Sequence, residues 1–207
     1  MRAILALMSP AIAATALVAD QMLSPTSVVP SSLLTVAEGP VLRLASVLSD
    51  EHIPAGLETT ERLYREFRPK GTIGAAGTMP LMLVLDRFNR THPEMVANST
   101  DGVFVMRTIR GLNDPTSMLN QRVSTFSVND VMLDQAFANV RRIFDSSVRV
   151  PVGDGIAGSF PGGIESRLEE LDRLRRLRVS VLLRNTTVLE ILNAIVRAAP
   201  GTVWTRA

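Results

Sequence analysis

Apolar positions along this chain switch between helical and strand spacing in an order that occurs twice. Residues 41, 42, 44, 45, 47 and 48 are apolar and form a helical stripe that stops at Asp50-Glu51. Ile53-Pro-Ala-Gly56-Leu-Glu58 then reads as a short extended run, because Pro54 disfavours helix in the residue before it. Thr59 to Phe67 carries Leu63, Tyr64 and Phe67 among charges and reads as a short helix. Gly71 to Gly77 is a β-type or loop run. Thr78 is placed to cap the next helix, with Pro80 in its first turn, where a missing N–H is harmless. That helix runs to about Thr91, and Pro93 stops it. Met95 to Asn98 and Val103 to Met106 predict a hairpin about Asp101-Gly102, since Asp-Gly supplies the positive φ of a tight primed turn.

The second half reads in the same way. Val123 to Val128 is strand-like, and Asp130 is placed to cap a helix whose apolar side holds Val131, Leu133, Ala136, Phe137, Val140, Ile143 and Phe144. Val148 to Val152 is extended, Glu165 to Arg176 is a helix and Arg178 to Leu183 is a strand. Thr186 or Thr187 caps a last helix that ends before Pro200, and Thr202 to Thr205 begins a strand. Leu81, Leu85, Phe88 and Pro93 recur as Val188, Leu192, Ile195 and Pro200, each 107 positions later. Val150-Pro-Val-Gly153 echoes Ile53-Pro-Ala-Gly56 at an offset of 97. A repeated αβ segment argues for architecture before chemistry. The expected fold class is α+β, with two related small units at 41–107 and 123–207, each a short mixed sheet covered by helices on one face. Residues 21–40, with Pro25, Pro30 and Pro40, and residues 108–122 are expected linkers. The second unit has no room for a closing hairpin, so its last strand is expected to leave an unpaired edge near Val203, Trp204 and Thr205.

Composition narrows the setting. Apolar residues make up 46% of 207, enough for a real core, but aromatics are only 4%, so that core must be aliphatic. A net charge of +2 is too weak a field to argue for nucleic acid. No cysteine is present, which excludes disulfides, thiolate metal sites and cysteine nucleophiles. Met1-Arg2 followed by the uncharged, mostly apolar Ala3 to Ala19, with small-x-small sites at Ala11-Ile-Ala13 and Ala14-Thr-Ala16, reads as a signal peptide over 1–20, the alternative being a buried N-terminal helix. Asp20 closes that run before the roughly 20 apolar residues a membrane span needs. The expected location is periplasmic or secreted, with no span after cleavage.

Val179-Ser-Val-Leu-Leu-Arg-Asn-Thr-Thr-Val-Leu-Glu-Ile-Leu-Asn-Ala-Ile-Val-Arg resembles a secretin and TonB short N-terminal (STN) domain. Arg184-Asn-Thr-Thr-Val-Leu and Gly77-Thr-Met-Pro-Leu both resemble that family's turn into its helix, over about 177–205 and more loosely 70–107. The resemblance implies a small α+β envelope module that docks a protein or peptide. It implies no catalytic residues and no cofactor.

His52 and His92 both stand at helix exits before a proline, where the macrodipole favours them, and no ligand spacing surrounds them that would suit a metal. The run Gly153-Asp154-Gly155 to Gly163 could cradle an anion before the helix at Glu165, but it matches neither the P-loop nor the dinucleotide pattern. Arg167 to Arg178 holds five Arg, but Glu165, Glu169, Glu170 and Asp172 come before Arg173, Arg175, Arg176 and Arg178, an order that suits the helix dipole better than a nucleic-acid surface. The function read from these features is a non-catalytic, exported protein-interaction module that takes a protein or peptide partner along a sheet edge beside Trp204. The alternative is a small hydrolase or transferase with the 153–163 loop over its site.

Overall fold

The structure is a computed structural model, and it describes residues 23–58, 77–144, 148–149 and 176–206. Nine strands and six α-helices occur among them: β1 (Val28–Pro30), α1 (Ser32–Val36), α2 (Val41–Asp50), β2 (Ala55–Glu58), β3 (Thr78–Pro80), α3 (Leu81–Thr91), β4 (Met95–Thr100), β5 (Val103–Thr108), α4 (Ile109–Asn113), β6 (Arg122–Met132), α5 (Leu133–Phe144), β7 (Val148–Arg149), β8 (Arg178–Thr187), α6 (Val188–Ala198) and β9 (Val203–Arg206). The class is α+β with small sheets.

A five-stranded sheet in the order β4-β5-β2-β9-β7 divides the molecule. The β4–β5 and β7–β9 pairs are antiparallel, while β2 runs parallel to both β5 and β9. Side chains on a strand alternate between faces, so one strand can serve two cores. β5 does this: Phe104 and Met106 enter one core, Val103 and Val105 the other. β9 does the same with Val203 and Trp204. The first core is completed by α1, α2 and α3, and the second by α5 and α6. Two-stranded ribbons lie outside the helices, β1 with β3 over the first set and β6 with β8 over the second. Both faces of the central sheet are therefore covered, which corrects the expectation of two separate sheets with helices on one face each.

The residues explain these elements locally. α6 buries Val188, Ile191, Leu192, Ile195 and Val196, the i, i+3, i+4, i+7 stripe of an amphipathic helix, and each such side chain stabilises by about 1.5–3 kcal/mol. Its start is a capping box: Thr187 Oγ1 accepts from Glu190 N at 3.2 Å, and Glu190 Oε2 accepts from Thr187 N at 2.7 Å. α2 ends in a Schellman turn, with Ile53 N donating to Leu48 O and His52 N to Ser49 O, and His52 takes the left-handed position at φ 56. Asp101 (φ 52) and Gly102 (φ 76) make the primed turn between β4 and β5.

Several expectations change. Residues 21–40 hold β1 and α1, and Val29, Leu33, Val36 and Ala37 are buried in the first core. The prolines there punctuate packed elements instead of loosening a linker. Residues 108–122 hold α4 and a 3₁₀ turn at Met118–Asn120, with Met118 and Leu119 buried. Thr78 does not cap α3: Thr78 to Pro80 is extended and paired with β1, and Pro80 occupies the cap. Asp130 does not cap α5: it sits at φ 48 where the register of β6 shifts between Val128 and Val131, and β6 continues to Met132. The helix at 59–67, the runs 71–76 and 150–152, the 153–163 loop and all of the helix at 165–176 except Arg176 lie outside the described residues.

α3 and α6 start and finish at positions 107 apart. The sheet order around them differs: β5 separates β4 from β2, whereas β9 lies directly against β7. The strand neighbours of the two helices therefore do not repeat.

Candidate functional site

The residues expected to offer an open edge are interior. β9 has β2 on one side, pairing Val203 with Ala55 and Trp204 with Gly56, and β7 on the other, pairing Thr205 with Arg149. Val203, Trp204 and Thr205 are 3%, 0% and 8% exposed. The side of β9 expected to be open is taken by β2 of the first half. Sequence spacing could not show this, because the pairing joins residues about 150 positions apart. Trp204 lies flat on Gly56, where a Cβ would run into its ring, and its Nε1 donates to the Oδ1 of buried Asn193 at 3.0 Å. The tryptophan is a core residue with a satisfied polar end.

The parallel strands β5, β2 and β9 end together at a rim that holds Arg107, Glu58 and Arg206. Arg107 Nε donates to Glu58 Oε2 at 2.9 Å, and Arg206 Nη1 donates to Glu58 Oε1 at 3.0 Å. Arg107 also donates to Asn120 Oδ1 and to the Gly111 carbonyl, and Arg206 to Ser117 Oγ. Asn120 donates in turn to the Gly111 and Asp114 carbonyls. Gly111 packs so closely on the Glu58 carboxylate that no Cβ would fit. The connector 108–121 is thereby folded down over the rim, leaving the Glu58 and Arg107 side chains 7% and 5% exposed. Two guanidiniums on one buried carboxylate fasten the first half, the connector and the last strand together. Nothing in the sequence spacing marks these three residues as a cluster.

Both histidines have structural places. His92 closes α3, its Nε2 3.2 Å from the Ala37 carbonyl and its ring against Phe88. Glu94 stands 4.0 Å from its Nδ1. His52 is exposed at the left-handed exit of α2. Among the described residues no group of three or more histidine, aspartate or glutamate side chains is placed to hold a metal ion. No described helix is long and apolar enough to cross a membrane. Gly153, Asp154 and Gly155 lie outside the described residues.

Open strand edges are found elsewhere, and they differ in how they are guarded. The outer side of β4 is blocked: Asn89 Oδ1 accepts from Ala97 N at 2.7 Å and Asn89 Nδ2 donates to Ala97 O at 3.0 Å, so a side-chain amide takes the place of a neighbouring strand. Ser99 and the Gly102 bridge hold Leu23 along the same side. β6 is interrupted by its register shift at Asn129-Asp130, a bulge of the kind that blunts an edge. β8 is ten residues long, and among the described residues its only neighbour is β6. Val179 and Val181 face the second core, while Ser180, Leu182 and Arg184 face outward, with Leu182 65% exposed. Among the described residues, 179–184 of β8 are thus an unblocked stretch on a ribbon held from beneath by α5 and α6. No family model, curated protein or solved structure matches this chain.

Proposed function

We propose that this chain is a non-catalytic, exported protein-interaction module that receives an extended segment of a partner protein along the outer edge of β8. The observation that carries this reading is the run 179–184, a regular strand paired on one side only among the described residues, beside a β4 edge that carries its own amide block. Added strands gain main-chain hydrogen bonds, and the alternate side chains supply selectivity. The STN resemblance of 177–205 supports the same reading, since β8 and α6 are the strand and helix that carry it. The leader-like run at 3–19 supports export.

The test is photo-crosslinking in cells that produce the full chain, with a photoreactive residue at Ser180. A discrete adduct in the envelope fraction is expected, and it should disappear when Leu182→Lys is added to charge the edge. Recovery of the chain only from the cytosol would remove the export reading. Absence of any adduct, or an adduct indifferent to Leu182→Lys, would remove the edge reading.

A further inference from the structure

We infer that the segment received by β8 is acidic: it sets a carboxylate opposite Arg184 and an apolar side chain opposite Leu182, two residues apart on one face of the added strand. This rests on the strand-docking reading above and specifies its partner. Four side chains of β8 line its outward face at alternate positions, Arg178, Ser180, Leu182 and Arg184. Their roles differ. Arg178 is already engaged, donating to the Asp130 carbonyl at 2.8 Å and to its carboxylate at 3.2 Å. Ser180 is bonded across the ribbon to Asn129 and Asp130. Arg184 is exposed and has no acidic partner among the described residues.

On β6 the residues facing the same way, Thr125, Ser127 and Asn129, are uncharged. Asp130, at the bulge, is taken by Arg178. An approaching strand therefore meets one unneutralised cation and one bare apolar side chain, separated by a single residue. Same-face neighbours on a strand repeat every second residue, and directly opposed side chains come within about 4.5–5.5 Å. An apolar residue seated on Leu182 thus fixes which partner position faces Arg184, and a carboxylate is favoured there. A lysine or arginine at that position would set like charges opposite one another, which is destabilising.

A second copy of this chain fits less well. In the antiparallel register that sets Leu182 against its own copy, Arg184 falls opposite Ser180 and stays unneutralised.

The test uses the full chain labelled with ¹⁵N and the synthetic peptide Thr-Val-Glu-Val-Leu-Val-Thr, with versions carrying Gln or Lys in place of Glu. Amide shifts confined to 179–184 are expected. The Glu peptide should bind about three- to tenfold more tightly than the Lys peptide at low salt, and the difference should shrink in 1 M salt, where the Debye length falls to about 3 Å. Arg184→Gln, an exposed substitution, should erase the preference while leaving the fold intact. Equal binding of all three peptides would overturn the acidic partner and leave the edge reading standing. Failure of every peptide while the Ser180 adduct persists would also overturn it, as would a free chain that sediments as a dimer with its β8 amides protected.

Discussion

Glu58→Gln is the substitution that weighs most on the assignment of the rim cluster as a fastening. The amide keeps the shape of the carboxylate and loses its charge. Arg107, with its side chain 5% exposed, would then be a buried cation without a counter-ion, and one end of the amide would set N–H groups against a guanidinium donor. Removing one partner of a buried ion pair costs about 3–5 kcal/mol, because the remaining charge stays desolvated. The Arg206 side of the cluster is 22% exposed and adds less. A domain of this kind is stable by about 5–15 kcal/mol in total, so the loss is about a fifth of that or more. Urea unfolding followed by far-ultraviolet circular dichroism reads it directly. At a slope near 2–3 kcal/mol/M, the midpoint should fall by about 1–2.5 M with the slope unchanged. Replacing both Glu58 and Arg107 by Met should recover much of the loss, since an apolar pair of similar volume is often no worse than a buried ion pair. The coupling energy from that cycle should be about 2 kcal/mol or more. A loss below about 1 kcal/mol for Glu58→Gln would mean that the cluster behaves as a solvated surface pair, and the account of how the connector is held would fail.

Two further outcomes follow from the same geometry. Gly56→Ala drives a methyl into the Trp204 ring. It should cost about 1–3 kcal/mol, or a melting temperature lower by roughly 3–10 °C, and a change under 1 °C would show that the ring can shift freely. Glu190 is held below its ordinary value near 4.5, first by the Thr187 backbone N–H and then by the Thr186 hydroxyl, both donating to its carboxylate. A carboxyl whose folded value is lowered adds stability that is present above its unfolded value and is lost as pH falls through the folded value. Glu190→Gln should therefore lower stability at pH 7 by about 0.5–1 kcal/mol and flatten the decline below pH 4.5. Parallel curves for the two proteins between pH 3 and 6 would refute this.

Local chemistry was legible where a short stretch of chain decides the outcome by itself. Asp101-Gly102 fixes a primed turn because few other residues accept two positive φ values in a row. Thr187 with Glu190 fixes the start of α6, and Pro93 and Pro200 fix where two helices stop. The helical stripes of α2, α3 and α6 follow from spacing alone, and that of α5 does so at Leu133, Ala136, Phe137 and Val140, whereas Val131 falls in β6 and Ile143 is exposed. Where two local readings compete, as at Thr78-Met-Pro80 and at Asn129-Asp130, the cap suggested by residue type lost to strand pairing, because β1 and β8 were available as neighbours.

What spacing could not decide was which strand lies beside which. The run 203–206 looks like a loose end in sequence because its neighbour β2 is far away along the chain, and a parallel pairing leaves no turn to announce it. That one pairing buries Trp204, joins the two cores through a shared sheet and brings Arg206 to Glu58. It also places β9 between β2 and β7, so that β9 is no edge of the sheet. Helix faces, turns and caps are set by contacts a few residues long, so the amino-acid order determines them directly. Sheet order, the rim cluster and the exposed edge come from segments that meet only when both halves fold onto one sheet, and the tertiary structure alone decides them.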